Sequence, residues 1–128
     1  GDSIIWFEGA NVVHMGDNFF NGSYPFIDVD SGGHVDGMIA TAERVLADAD
    51  ADTRIIPGHG PVSGPEDLRT FHAMLATVRD RVQTLIDDGA DLDAVLAAAP
   101  TADYDEGMQM GFMNPERFVT LVYRSLAE

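Results

Sequence analysis

The sequence predicts an α/β fold, and three observations carry the prediction. Short apolar runs rich in β-branched and aromatic residues open the chain. Apolar residues at helical spacing follow from Val35 onward. The two kinds of segment alternate before helices finish the chain, which is the order expected of strands and helices packed in layers.

The elements follow in order. Ser3-Ile4-Ile5-Trp6-Phe7 reads as a strand and Val12-Val13-His14-Met15 as a second. The turn residues Glu8-Gly9-Ala10-Asn11 between them suggest a hairpin. Gly16 is expected to end the second strand, with Asp17 just beyond it. Residues 18–33 are aromatic and glycine-rich and read as a long loop, a length usually kept for function. Val35, Met38, Ile39, Ala42, Val45, Leu46 and Ala49 give one apolar helical face. Arg54-Ile55-Ile56 is a short strand stopped by Pro57-Gly58. A long helix is expected from Pro65 to Gly89, with Leu68, Phe71, Leu75, Val78, Val82 and Leu85 facing inward. Asp91 is placed to cap a short helix that ends before Pro100. Residues 107–113 read as a connector. Asn114 caps a last helix with Pro115 in its first turn.

Bulk composition narrows the function. The chain has 128 residues, enough for one domain or part of one, and 45% of them are hydrophobic, enough for a core. With 22 acidic and 7 basic residues its net charge is -15. Such a surface repels phosphate backbones and anionic membranes, so neither nucleic acid nor membrane is expected as a partner. No stretch approaches the roughly 20 apolar residues of a membrane helix, and no signal peptide is visible. There is no cysteine, which excludes disulfides and thiolate zinc sites. Cytoplasm and periplasm both remain open as compartments. The chain begins with Gly1 rather than Met, which suggests processing or a longer parent.

Two segments carry chemistry: Val12-Val13-His14-Met15-Gly16-Asp17 and Ile55-Ile56-Pro57-Gly58-His59-Gly60-Pro61. Each is a strand that ends in glycine and then presents a metal-capable side chain. The strand fixes position, and the glycine lets the backbone turn so that the ligand leaves the sheet end. A carboxylate and an imidazole suit zinc in a hydrolase. Taken singly, Asp17 also fits a turn residue and His59 a loop histidine.

The ordered set resembles the second half of the metallo-β-lactamase superfamily: a hairpin, then Gly16-Asp17-Asn18-Phe19-Phe20, a helix, and a strand ending Ile56-Pro57-Gly58-His59-Gly60-Pro61. The resemblance covers the first half of the chain well and the later helices only in general pattern. It implies half of an αββα sandwich, a mixed sheet covered by helices. It implies that Asp17 bridges two zinc ions and that His59 completes one of the two sites. It also implies a hydrolase in which metal-activated water attacks a carbonyl or ester-like centre of a β-lactam, lactone, thioester or related substrate. The family's first signature, His-x-His-x-Asp-His, is absent, and the chain starts after the position of another ligand histidine. The resemblance therefore implies an amino-terminal half supplied by another segment, or self-association, and little activity from this chain alone.

Other residues have two readings. His14, three residues before Asp17, either orients a ligand through a hydrogen bond or is a core histidine. Phe19, Phe20 and Tyr24 either wall a substrate pocket or anchor the loop. Asp28 and Asp30 could hold a cation but lack the rest of a calcium-loop pattern. His34 is read as a surface residue at a helix start and His72 as a packing residue.

Overall fold

The computed structural model describes residues 4–108 and 113–127. Among these, the sheet has strands β1 (Ile5–Phe7), β2 (Val12–Phe20) and β3 (Arg54–His59), in that spatial order. β1 runs antiparallel to β2 and β3 runs parallel to it. The helices are α1 (Val35–Asp48), α2 (Pro65–Asp87), α3 (Leu92–Ala97) and α4 (Pro115–Ala127). The chain is thus α/β, with a mixed sheet and helices packed on it. No helix among the described residues is long and apolar enough to cross a membrane.

Local chemistry explains the boundaries. A 3-10 turn, Glu8–Ala10, joins β1 to β2, and Asn11 closes it in the left-handed region at φ 54°. Asparagine tolerates that conformation better than most residues. Its side chain donates to Asp50 Oδ1 at 3.0 Å and accepts from Thr53 Oγ1 at 2.9 Å, tying the hairpin to the loop between α1 and β3. Parallel strands need a crossover, and α1 supplies it. Pro65 sits in the first turn of α2. Asp91 Oδ1 accepts from Ala94 N at 2.9 Å to cap α3, and Asn114 Oδ1 accepts from Arg117 N at 2.7 Å to cap α4. The connector expected over 107–113 is in part a 3-10 turn, Asp105–Met108; residues 109–112, and Ser3 of the first expected strand, lie outside the described residues.

Two strands run further than their glycines suggest. β2 does not stop at Gly16. Gly16 adopts φ 55°, and the ladder to β3 slips there and again before Phe20. A bulge of this kind bends a strand and lets pairing resume. Asp17 therefore lies within β2. β3 likewise continues through Pro57 and Gly58 to His59, with Pro57 opposite Gly16 and His59 opposite Phe20. It can do so because β3 has no described neighbour strand beyond it, where a residue lacking an N–H is tolerated. Past His59 the chain folds back, and Ile55 and Ser63 exchange backbone hydrogen bonds of 2.7 and 2.8 Å.

The two sheet faces differ. Val13, Met15 and Ile55 are fully buried on the face covered by α1 and α2. There they join a core with Val35, Phe71, Leu75 and Val78. On the other face, Ile5 pairs with His14, Phe7 with Val12, and His14 with Ile56. Ile5 and Phe7 are each 50% exposed. The strands read as apolar on both sides, yet among the described residues one side alone is covered by helices.

Candidate functional site

The bulge in β2 and the extension of β3 bring the two candidate ligands together. Asp17 and His59 leave neighbouring parallel strands at the same end of the sheet. His59 Nε2 lies 3.4 Å from Asp17 Oδ1, and both side chains are about half exposed. Two donor atoms bound about 2.1 Å from one tetrahedral zinc ion stand roughly 3.4 Å apart. The pair therefore fits two corners of a single zinc coordination sphere.

The surroundings fix each of the two side chains. Gly58 passes so close to Asp17 that a β-carbon at 58 would lie 2.4 Å from Asp17 Oδ1 and 2.6 Å from Gly16 O. Only glycine lets β3 approach the carboxylate this closely. Gly60 plays the same part beyond His59: its φ is +98°, and a β-carbon there would meet Asn21 O at 2.2 Å. The Phe20 ring stacks on the His59 imidazole at 4.5 Å and 12°, which holds the ring plane. Asn21 N–H donates to His59 O at 2.9 Å, and Asn21 Nδ2 donates to Ser63 Oγ at 2.6 Å. The end of β3 and the loop after His59 are thereby stitched to the end of β2.

His14 acts on the backbone. Its Nδ1 accepts the Gly16 N–H at 3.1 Å, at the bulge that aims Asp17. Its ring lies on the open face of the sheet, opposite Ile5 and Ile56.

The aromatic residues after Asp17 turn inward. Phe19 is fully buried and packs on Phe71 at 5.1 Å. Tyr24 is 1% exposed and stacks on Phe118 at 4.7 Å and 8°. Its hydroxyl donates to Asp105 Oδ1 at 2.6 Å. Burial, and then the neighbouring Asp105 carboxylate, push that hydroxyl well above the usual tyrosine range. Phe20 is 4% exposed and faces His59. Of the two readings open for these rings, the packing supports the loop anchor for Phe19 and Tyr24.

A cleft of about 360 Å³ opens beside Asp17, between the loop over residues 26–34 and the start of α1. Phe26, Ile27 and Met38 supply its apolar surface, and Asp28, Ser31 and His34 its polar surface. A wider cleft of about 530 Å³, against Arg81, Leu85 and Pro100, contains none of the candidate residues. Compared with protein-family models and with curated proteins, the chain matches none.

The remaining candidates are dispersed. Asp30 accepts from Arg124 Nη2 at 2.6 Å, while Asp28 faces the cleft, so they are not paired around a cation. His72 packs between α1 and α2. Its Nε2 is buried 3.4 Å from Glu43 Oε2, but in no hydrogen-bonding alignment. Among the described residues, no group of three or more His, Cys, Asp or Glu side chains gathers around a metal position. The sequence reading did not find His34 as a cleft residue. Its signal was the Gly32-Gly33 pair, which lets the loop fold tightly enough to bring the start of α1 beside Asp17. A β-carbon at Gly33 would lie 2.7 Å from Asp28 O.

Proposed function

We propose that this chain is the carboxy-terminal half of a metallo-β-lactamase-fold zinc hydrolase. One observation carries the reading: Asp17, just past the bulge in β2, and His59, the last residue of the neighbouring parallel strand β3, converge to 3.4 Å over a glycine that no larger residue could replace without displacing them. The order of elements around them supports it. So does the uncovered sheet face, which is where the second sheet of an αββα sandwich would lie. Zinc held by these ligands would supply an activated water near neutral pH and a positive charge for the developing oxyanion. Asp17 and His59 would hold the metal, with Asp17 bridging two ions. Phe20 fixes the imidazole plane, and His14 holds the bulge that aims the carboxylate. The substrate class is a carbonyl or ester-like compound: a β-lactam, lactone, thioester or relative.

A second reading has its own observation. Two ligands are fewer than the three or four protein groups of a finished zinc site. On this reading the chain is a half-domain without catalysis of its own, completed in fold and site by another polypeptide segment.

Zinc content separates the possibilities. After dialysis against buffered zinc, the chain alone should retain substoichiometric metal. Mixed with the missing amino-terminal half, it should retain zinc and hydrolyse esters or lactones. Retention without hydrolysis would favour the second reading. Failure to retain zinc in either state would overturn the metal site.

A further inference from the structure

The chain leaves β3 at His59, passes Gly60, Pro61 and Val62, and returns at Ser63 to pair with Ile55. This loop is exposed: Val62 is 60% accessible, and Pro61 has no N–H with which to tie itself down. Asn21, the residue after β2, reaches into it. Asn21 Nδ2 lies 2.6 Å from Ser63 Oγ and 3.4 Å from Pro61 O, and Ser63 Oγ lies 2.8 Å from Pro61 O.

The donors in this triangle follow from its chemistry. The Pro61 carbonyl can only accept. Ser63 Oγ–H donates to it, which leaves the Ser63 lone pairs to accept from Asn21. The amide carries two hydrogens, and both are used, one on Ser63 Oγ and the other toward Pro61 O. Position 21 therefore calls for a donor. A carboxylate of the same shape would set acceptors against a carbonyl.

The main chain of Asn21 grips His59 itself. Asn21 N–H donates to His59 O at 2.9 Å. Asn21 O packs against Gly60, which has φ +98° and where a β-carbon would lie 2.2 Å from that oxygen. The His59 imidazole is about half exposed, so its stack on Phe20 depends on the backbone beneath it.

We propose that Asn21 is a positioning residue for His59: its amide pins Pro61 and Ser63, and so keeps the imidazole on Phe20 and turned toward Asp17. What the histidine then does rests on the zinc-hydrolase reading; where it is held does not.

Nuclear magnetic resonance of the full chain, with chelator present, reads the position. The parent should show an Overhauser contact between the ring protons of His59 and Phe20. Asn21→Ala should lose it. Asn21→Asp, which keeps the shape but not the donors, should lose it too. The His72 resonances, from α2, should stay in place in both. Val62→Ala, in the same loop, should keep the contact. In a zinc titration Asn21→Ala should bind about 10- to 100-fold more weakly than the parent, the range for groups that orient ligands. Adding Ser63→Ala to it should weaken zinc no further, because the two residues act through one hydrogen bond. No contact in the parent, a retained contact in Asn21→Asp, or the same loss in Val62→Ala would each overturn the proposal, as would parent-like zinc affinity in Asn21→Ala. A parent chain that binds no zinc would sink the metal reading and leave the Overhauser contacts to decide for Asn21.

Discussion

Gly58 and Asp17 are packed so closely that the site depends on the absence of a side chain at 58. A β-carbon there would reach 2.4 Å from the carboxylate and 2.6 Å from the Gly16 carbonyl. Relief requires either opening the β2–β3 contact or swinging Asp17 away from His59. Gly58→Ala should therefore cost about 1–3 kcal/mol of stability, as overpacking does, and weaken zinc binding at least about tenfold. Gly9→Ala is the control, because nothing lies within 4 Å of its added carbon. Thermal melts and zinc titration of both variants check this. Unchanged zinc affinity in Gly58→Ala would show that Asp17 is not a ligand in this geometry.

The His14 hydrogen bond to Gly16 predicts a graded effect. If the proposed hydrolase reading holds, then in a protein that includes an amino-terminal half Asp17→Ala and His59→Ala should each remove most hydrolytic activity and leave the fold. His14→Ala loosens the bulge without removing a ligand. Its cost in zinc affinity should be about 10- to 100-fold, the range for groups that orient ligands. Zinc affinity and kcat/KM measured side by side decide the order. If His14→Ala abolishes zinc binding while His59→Ala does not, the ligand assignment is wrong.

Much of this architecture is legible locally, and the rest depends on distant partners. Asp91, Asn114 and Pro65 mark helix starts because a cap needs only the residues beside it. Asp17 and His59 stand out because each follows a short apolar run and a glycine. The path of β2 through Gly16 is not legible, since the bulge exists only in register with Pro57 of β3. The fate of the aromatic residues is hidden for the same reason. Phe19 is drawn inward by Phe71 and Tyr24 by Phe118, partners far along the chain. His34 looks like an ordinary helix cap until the 26–34 loop folds beside Asp17.

Tyr24 predicts an alkaline limit to stability. Its hydroxyl titrates higher in the folded chain than the ordinary value near 10, through burial and then the hydrogen bond to Asp105. Above about pH 10 the unfolded chain gains by ionising this group and the folded chain does not. Its stabilising effect is complete below that pH and falls as pH rises further. Tyr24→Phe should lose about 1.5–3 kcal/mol at neutral pH, the range for a hydrogen bond to a charged group. Its decline in stability above pH 10 should be shallower than the parent's. Urea melts across that window test the slope. Parallel curves for parent and variant would mean that Tyr24 titrates normally.

The open face of the sheet sets the last prediction. Ile5 and Phe7 are half exposed, and they align with Val12, His14 and Ile56 across the three strands. No described helix covers this side, while α1 and α2 cover the other. Soluble monomers seldom leave a contiguous apolar patch beyond a few hundred Å² uncovered. Burying such a patch gains roughly 25 cal/mol per Å², so a few hundred Å² can drive association. The net charge of -15 opposes contact between two copies, and salt screens that repulsion. The chain should therefore self-associate through this face more strongly at high salt, or remain bound to the segment that completes the sandwich. Phe7→Lys should weaken either contact, because it places a charge on the face without disturbing the buried side. Sedimentation at several protein and salt concentrations reads the outcome. A compact monomer down to low micromolar concentration at high salt, with no bound partner, would show that this face needs no cover and that the half-sandwich reading is mistaken.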